Sequence, residues 1–162
     1  MLPTAPAGWT NPTLGNDGEV RFRTASSASM PSQATLSVVA RSRPNPDYLT
    51  QRERRRMLAG TAFSDLRRIV IDKMINAGGW VINDYERQFS DARVFVVIAQ
   101  TPSDARSPEK SWNFYFAEVD GKIYSLTLNT PLQFSGQLEG EGQKFIASLR
   151  SRVNTNVQTA TR

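Results

Sequence analysis

The sequence contains no cysteine and no histidine among its 162 residues. Without cysteine the chain can form no disulfide, no thiolate metal site and no thiol nucleophile. Without histidine it also lacks the commonest general base and the commonest metal ligand. Any chemistry would therefore have to rest on Asp, Glu, Lys, Tyr, Ser or Thr side chains.

Long apolar runs are missing as well. No stretch approaches the roughly 20 apolar residues that cross a bilayer, so no transmembrane segment is predicted. Residues 1–9 also lack the basic and apolar regions of a signal peptide. Two interpretations follow: the protein is cytoplasmic, or Met1 stands where a signal peptide has been removed.

Catalytic motifs are missing too. The sequence has no glycine-rich phosphate loop, no nucleophile elbow and no metal-ligand cluster. Asp84 and Glu86 lie two residues apart on a predicted strand, and Asp65 and Asp72 lie on one side of a predicted helix. Neither pair has a basic or nucleophilic partner at a motif spacing. We therefore predict that the protein is not an enzyme and that it uses no cofactor and no metal.

The charges that are present lean basic, with 20 Lys and Arg against 15 Asp and Glu and a net charge of +5. Four arginines are concentrated at Arg52, Arg54, Arg55 and Arg56, in the first turns of a predicted helix, where the helix dipole disfavours cations. This placement indicates an acidic partner, such as an anionic lipid headgroup or an acidic protein patch. It is also typical of a solvated, solubilising face. No aromatic residues interleave with the arginines, so nucleic acid is not an expected partner.

The clearest structural signal lies between residues 93 and 131. Residues 94–99 are apolar on both faces, which is typical of a central strand that is covered on both sides. Two β-rich runs follow at 112–119 and 122–130, separated by Asp120-Gly121, a pair that favours a type I′ turn. With a further strand at 80–89, the pattern predicts a four-strand antiparallel meander.

Upstream, residues 20–24 and 35–41 predict two strands. Thr50 and Glu53 fit a capping box at the start of a long helix, and Gly78-Gly79 fit its left-handed end. Gly60 is expected to break or kink this helix, so 61–77 is its firmest part. A second helix is predicted over roughly 139–152, and the two helices would cover the two faces of the sheet.

This order of elements resembles the PsbP-like superfamily. The similarity is carried by an early Trp9, the Gly78-Gly79 helix end, the Asp-Gly-Lys-Ile-Tyr-Ser-Leu-Thr segment at 120–127, and the Phe-Ile-Ala-Ser-Leu-Arg segment at 145–150. The resemblance implies an α+β fold. An antiparallel sheet would carry a long helix between its second and third strands and a C-terminal helix, giving an α/β/α sandwich.

The expected domain organisation has three parts. Residues 1–18 form an irregular N-terminal segment, 19–153 a single PsbP-like domain, and 154–162 a polar C-terminal tail. The superfamily contains the PsbP extrinsic subunit of photosystem II, a Ran-binding nuclear import factor, DcrB-type lipoproteins and the chaperones of type VI secretion effectors. These members are non-enzymatic adaptors, assembly factors and chaperones.

The resemblance implies a non-catalytic binding or assembly subunit that docks on a larger, membrane-associated protein complex with an acidic surface. The expected location is periplasmic or otherwise exported, with cytoplasmic as the alternative. The candidate contacts are Arg52, Arg54, Arg55, Arg56, Asn113 and Tyr115. Asn113 and Tyr115 share a strand face that could form a wet groove or an interface.

Two other functions fit the sequence. One is a chaperone or adaptor for a secreted effector, which would require an exposed apolar groove. The other is a small-ligand or lipid-binding domain, which would require an enclosed pocket. The polar loop at 101–110 is long for a hairpin connection, and it is either a binding loop or a tolerated insertion.

Overall fold

A computed structural model describes residues 13–14, 19–23, 33–45, 47–89, 92–103, 108–132, 142 and 145–146. Nine strands and two helices fall within these ranges. The strands are β1 (Thr13–Leu14), β2 (Val20–Arg23), β3 (Gln33–Arg41), β4 (Met57–Leu58), β5 (Thr61–Ala62), β6 (Trp80–Phe89), β7 (Ala92–Thr101), β8 (Lys110–Val119) and β9 (Lys122–Pro131). The helices are α1 (Gln51–Arg55) and α2 (Phe63–Ala77).

Seven of the strands form one antiparallel sheet in the order β1-β2-β3-β9-β8-β7-β6, and β4 and β5 form a separate hairpin. The predicted meander is confirmed, because β6, β7, β8 and β9 pair in sequence. Its last turn has positive φ at both central residues, 50° at Asp120 and 75° at Gly121. An asparagine, aspartate or glycine adopts these values at low cost, which is why the Asp-Gly pair predicts the turn.

Strand β7 explains the unbroken apolar run. Phe95, Val97 and Ala99 point to one face of the sheet, and Val94 and Val96 point to the other, and all five are buried. The prediction of cover on both faces is therefore confirmed. Strand β7 is also an interior strand, since it pairs with both β6 and β8, although the middle of the sheet is β9.

The two faces of the sheet have separate cores. On the helix side, α2 buries Leu66, Val70 and Met74 against β7, β8 and β9. On the other side, β2 and β3 pack with the meander, and Phe145 and Ile146 are buried among them. The rings of Phe22 and Phe145 meet edge to face with centroids 5.5 Å apart.

The predicted α/β/α sandwich is wrong. In the described part of the chain, strands dominate and one long helix, α2, covers one face. Of the predicted C-terminal helix at 139–152, Gly142, Phe145 and Ile146 are described and helical, and the remainder lies outside the described residues. On the opposite face, the described residues that pack together are side chains of the sheet strands with Phe145 and Ile146.

The long helix predicted from Thr50 is also interrupted, at the position of Gly60. Ala59 and Gly60 both have left-handed backbone, with φ of 50° and 85°, and they form the turn of the β4–β5 hairpin. The N–H of Arg43 donates to the carbonyl of Ala59 at 2.8 Å, which ties this turn to the end of β3. Helix α2 then ends as predicted, with Gly78 left-handed at φ 77°.

Two further predictions concern segments that lie partly or wholly outside the described residues. Of segment 1–18, Thr13–Leu14 is described and pairs with β2, and the tail at 154–162 lies outside the described residues. In the 101–110 loop, residues 104–107 lie outside them as well. Neither described helix is long and apolar enough to cross a membrane.

Candidate partner-binding surface

The four arginines lie on α1 and at the residue that ends it. Thr50 caps this helix, because its hydroxyl oxygen accepts from the N–H of Glu53 at 3.2 Å, as the capping box predicts. Helix α1 buries none of its five residues, and all four arginines are exposed. We call Arg52, Arg54, Arg55 and Arg56 the arginine surface.

Arg93 fixes the backbone of the arginine surface to the sheet. Its guanidinium donates to the carbonyl of Arg55 at 2.7 Å and to the carbonyl of Met57 at 3.1 Å. Its Nε donates to the carboxylate of Glu86 at 2.7 Å. A guanidinium suits this role because its five donors form a rigid fork, and a cation is favourable at the C-terminal end of a helix. The arginine surface is therefore held in place on a strand of the meander.

The Arg93 guanidinium also packs against one of two stacked aromatic rings. The Arg93 guanidinium carbon lies 5.6 Å from the centre of the Phe63 ring, within the range of a cation–π interaction. The Phe63 ring in turn lies parallel to Phe95, with centroids 4.4 Å apart. The first residue of α2 thus joins Arg93 to the helix-side core.

A groove opens beside the arginine surface, with a volume of about 710 Å³. Its apolar lining includes Met57, Ala62, Phe63 and Phe95. Its polar lining includes Glu53, Arg56, Ser64, Arg67 and Asp84. We call this site the α2 groove. Its walls come from α1, the β4–β5 hairpin, the first turns of α2 and strands β6 and β7.

The predicted acid pair Asp84 and Glu86 lies beside this groove, and each carboxylate has an arginine partner. Asp84 lies 3.2 Å from the guanidinium of Arg67, and Glu86 is bound by Arg93. These ion pairs join β6 to α2 and to β7, so they give both acids a structural role. Among the described residues, no group of three His, Cys, Asp or Glu side chains is placed to hold a metal ion.

Asn113 and Tyr115 lie in the core, away from the arginine surface. Their exposed fractions are 5% and 0%. The Ser111 hydroxyl donates to the Asn113 side-chain oxygen at 3.2 Å, and the Asn113 amide nitrogen donates to the Tyr115 hydroxyl at 3.1 Å. A Cβ at Gly142 would lie 3.0 Å from the Tyr115 ring, so this face is closely covered. The structure therefore buries these two side chains and does not bring them together with the arginines.

Sequence reasoning missed Arg93 and the α2 groove. The carbonyls that Arg93 binds lie 36 and 38 residues earlier in the chain, so no local spacing marks the contact. Phe63 and Phe95 were visible as apolar positions on a helix and a strand. Their stacking depends on how α2 crosses the sheet, which the sequence pattern does not specify.

We expect Arg93→Met to lower the free energy of unfolding by about 2 kcal/mol. The two carbonyls would lose a charged donor, which costs roughly 1.5–3 kcal/mol. The Glu86 ion pair adds little, because both side chains are more than a third exposed. Arg67→Met is the matched control, and its single exposed ion pair predicts a loss below about 1 kcal/mol. Urea denaturation of both variants measures the difference, and equal losses would contradict the role given to Arg93.

The fold is PsbP-like, as comparison with solved structures shows. The solution structure of cyanobacterial PsbP (CyanoP) from Synechocystis sp. PCC 6803 is similar, with a TM-score of 0.53 and 14% sequence identity. The match covers 88% of this chain and 81% of that chain. At this identity the likeness shows the fold alone. No family model matches the sequence, and no curated protein matches it.

Proposed function

We propose that the protein is a non-catalytic binding or assembly subunit that docks on the acidic surface of a larger, membrane-associated protein complex. The observation that carries this proposal is the arginine surface. Its four guanidinium groups are exposed, while the backbone that bears them is fixed by Arg93. The PsbP-like fold is consistent with such a role, and the resemblance favours a periplasmic or otherwise exported location.

The fixed backbone matters because docking has an entropic cost. A surface held in its bound arrangement loses less conformational freedom on association than a mobile one. Arginine also matches the geometry of a carboxylate, since its planar fork donates two parallel hydrogen bonds. Four such groups within five residues therefore suit an acidic protein patch.

We expect the double reversal Arg54→Glu and Arg55→Glu to reduce partner capture from an extract of the native host at least tenfold. Each reversal replaces an attraction with a repulsion, and charged rim contacts mainly set the association rate and its salt dependence. Helix α1 buries no residue, so the thermal melt should stay close to that of the parent chain. Quantitative mass spectrometry of the captured proteins measures the effect.

The matched control is Arg68→Glu with Lys122→Glu, which changes the net charge equally at two exposed positions outside the arginine surface. This control should capture the same partners as the parent chain. If the variant at residues 54 and 55 retained all its partners, or if both variants lost them equally, the docking surface would lie elsewhere.

A further inference from the structure

The α2 groove adds an apolar site to a basic surface. Glu53 and Arg56 line the groove, and both belong to the segment that carries the arginine surface. A partner held by Arg56 would therefore lie beside the groove. Ligand sites are commonly concave, mostly apolar and between roughly 300 and 1,000 Å³ in volume. The α2 groove, at about 710 Å³, falls within that range.

Its chemistry matches an extended peptide. The half-buried Met57 and Phe63 side chains offer an apolar wall for an aromatic or aliphatic side chain, and the buried Phe95 ring stacks behind Phe63. Around them lie a donor, Arg56, and an acceptor, Glu53, while Arg67 and Asp84 are paired with each other. A peptide backbone presents carbonyl and N–H groups together, so this mixture of charges can satisfy both.

The charge around the groove selects acidic flanks. Residues 52–56 comprise four arginines and one glutamate, so the protein surface beside the groove is strongly positive. Tyr48 lies shortly before these residues in the chain and is 84% exposed. The Arg54 guanidinium donates to the carbonyl of Asp47 at 3.4 Å, which ties the Tyr48 loop to α1. Tyrosine and arginine are among the residues that most often dominate binding energy at interfaces.

We propose that the α2 groove binds an acidic peptide segment of the partner, with one aromatic or aliphatic side chain packed against Met57 and Phe63. The acidic residues on either side of that anchor pair with the arginine surface. This inference rests on the proposed docking function and specifies its ligand. A flat bilayer surface is a poorer fit, because it cannot enter a concave site and offers few N–H donors to Glu53.

The test uses two fluorescein-labelled heptapeptides of equal charge. The anchor peptide is Glu-Asp-Phe-Glu-Leu-Asp-Glu, and the plain peptide is Glu-Asp-Ser-Glu-Ser-Asp-Glu. Fluorescence anisotropy should show that the anchor peptide binds the full chain at least tenfold more tightly. Burial of one large apolar side chain is sufficient for a difference of that size.

Two tryptophan variants locate the site. Ser64→Trp places a bulky ring at the wall of the groove from an exposed position in the first turn of α2, and it leaves every arginine in place. It should lower the affinity for the anchor peptide at least tenfold. Asn76→Trp puts the same ring at an exposed position near the other end of α2 and should leave the affinity unchanged.

The outcomes separate this inference from the docking function. Suppose that both peptides bind with equal affinity, that Ser64→Trp does not change this affinity, and that the reversal at residues 54 and 55 lowers it for both. The proposed peptide site in the groove would then be wrong, and the docking function would stand. Failure of the anchor peptide to bind would also overturn the groove. So would binding of phosphatidylglycerol vesicles without binding of either peptide.

Discussion

Replacing Gly60 with alanine is expected to lower the free energy of unfolding by about 3 kcal/mol. Gly60 has a φ of 85°, a conformation that residues with a Cβ rarely adopt. Its added Cβ would also collide with the backbone carbonyl of Arg43. A carbonyl held in the chain cannot rotate away as a flexible side chain can, so the strain and the collision add together.

Gly121 offers a matched control, because it has a similar φ of 75° and nothing within 4 Å of the position of a Cβ. Gly121→Ala should therefore show the conformational strain alone, roughly 1–2 kcal/mol. Urea denaturation of the two variants separates the strain from the collision. Equal losses would mean that the contact between Gly60 and Arg43 contributes nothing.

Gly60→Ala should also affect the binding site. The β4–β5 hairpin supplies Met57 and Ala62 to the α2 groove, and its turn is held by the bond from Arg43 to Ala59. If the hairpin shifts to relieve the collision, the groove changes shape with it. The anchor peptide should then bind the folded fraction of this variant more weakly, while Gly121→Ala should bind it normally.

The second large effect is expected from Leu66→Ala, which should lower the free energy of unfolding by about 3 kcal/mol. Leu66 is fully buried in the helix-side core, between α2 and the meander. Truncation removes its apolar contacts and leaves a cavity among aromatic side chains that cannot close completely.

Ile69, on the same helix, is the control because it is 43% exposed. Ile69→Ala removes a side chain of the same volume from a position that is half in water, so its loss should stay below about 1 kcal/mol. Thermal or urea denaturation measures both variants. A loss for Ile69→Ala as large as that for Leu66→Ala would contradict the observed orientation of α2.

Local patterns predicted the meander because each of its signals acts between neighbours. The Asp120-Gly121 turn sets the pairing of β8 with β9, and the two-sided apolar run of β7 requires cover on both faces. The position of β7 could not be predicted in the same way. It depends on β3 pairing with β9 across most of the chain, a contact that no local pattern encodes.

The helix from Thr50 shows where periodicity misleads. Apolar positions continue at helical spacing through residues 58–74, but Ala59 and Gly60 reverse the chain. The expected break at Gly60 was correct, whereas a hairpin in place of a simple kink was not expected. The sequence did not indicate this conformation at Ala59, because alanine favours helices, and the hydrogen bond from Arg43 to its carbonyl joins residues distant in the chain.

The sequence predicted the charges of the candidate site but not its shape. Exposure of the arginine surface follows from the cost of burying guanidinium groups without partners. Asn113 and Tyr115 were candidate contacts because they share a strand face that could form a wet groove or an interface. The structure buries them, and the hydrogen bonds from Ser111 to Asn113 and from Asn113 to Tyr115 offset the loss of water.

Strand β6 is the last in the sheet order, next to β7, in the part of the chain that the structure describes. An open strand edge invites pairing with another chain and so favours aggregation. Here the register shifts at Ile82, between Val81 and Asn83, and Asp84, Glu86 and Arg87 place charges along the rest of the strand. Bulges and charges are the features by which natural sheets discourage such pairing. The bulge and the charges of β6 therefore help this strand to end the sheet without recruiting a second molecule.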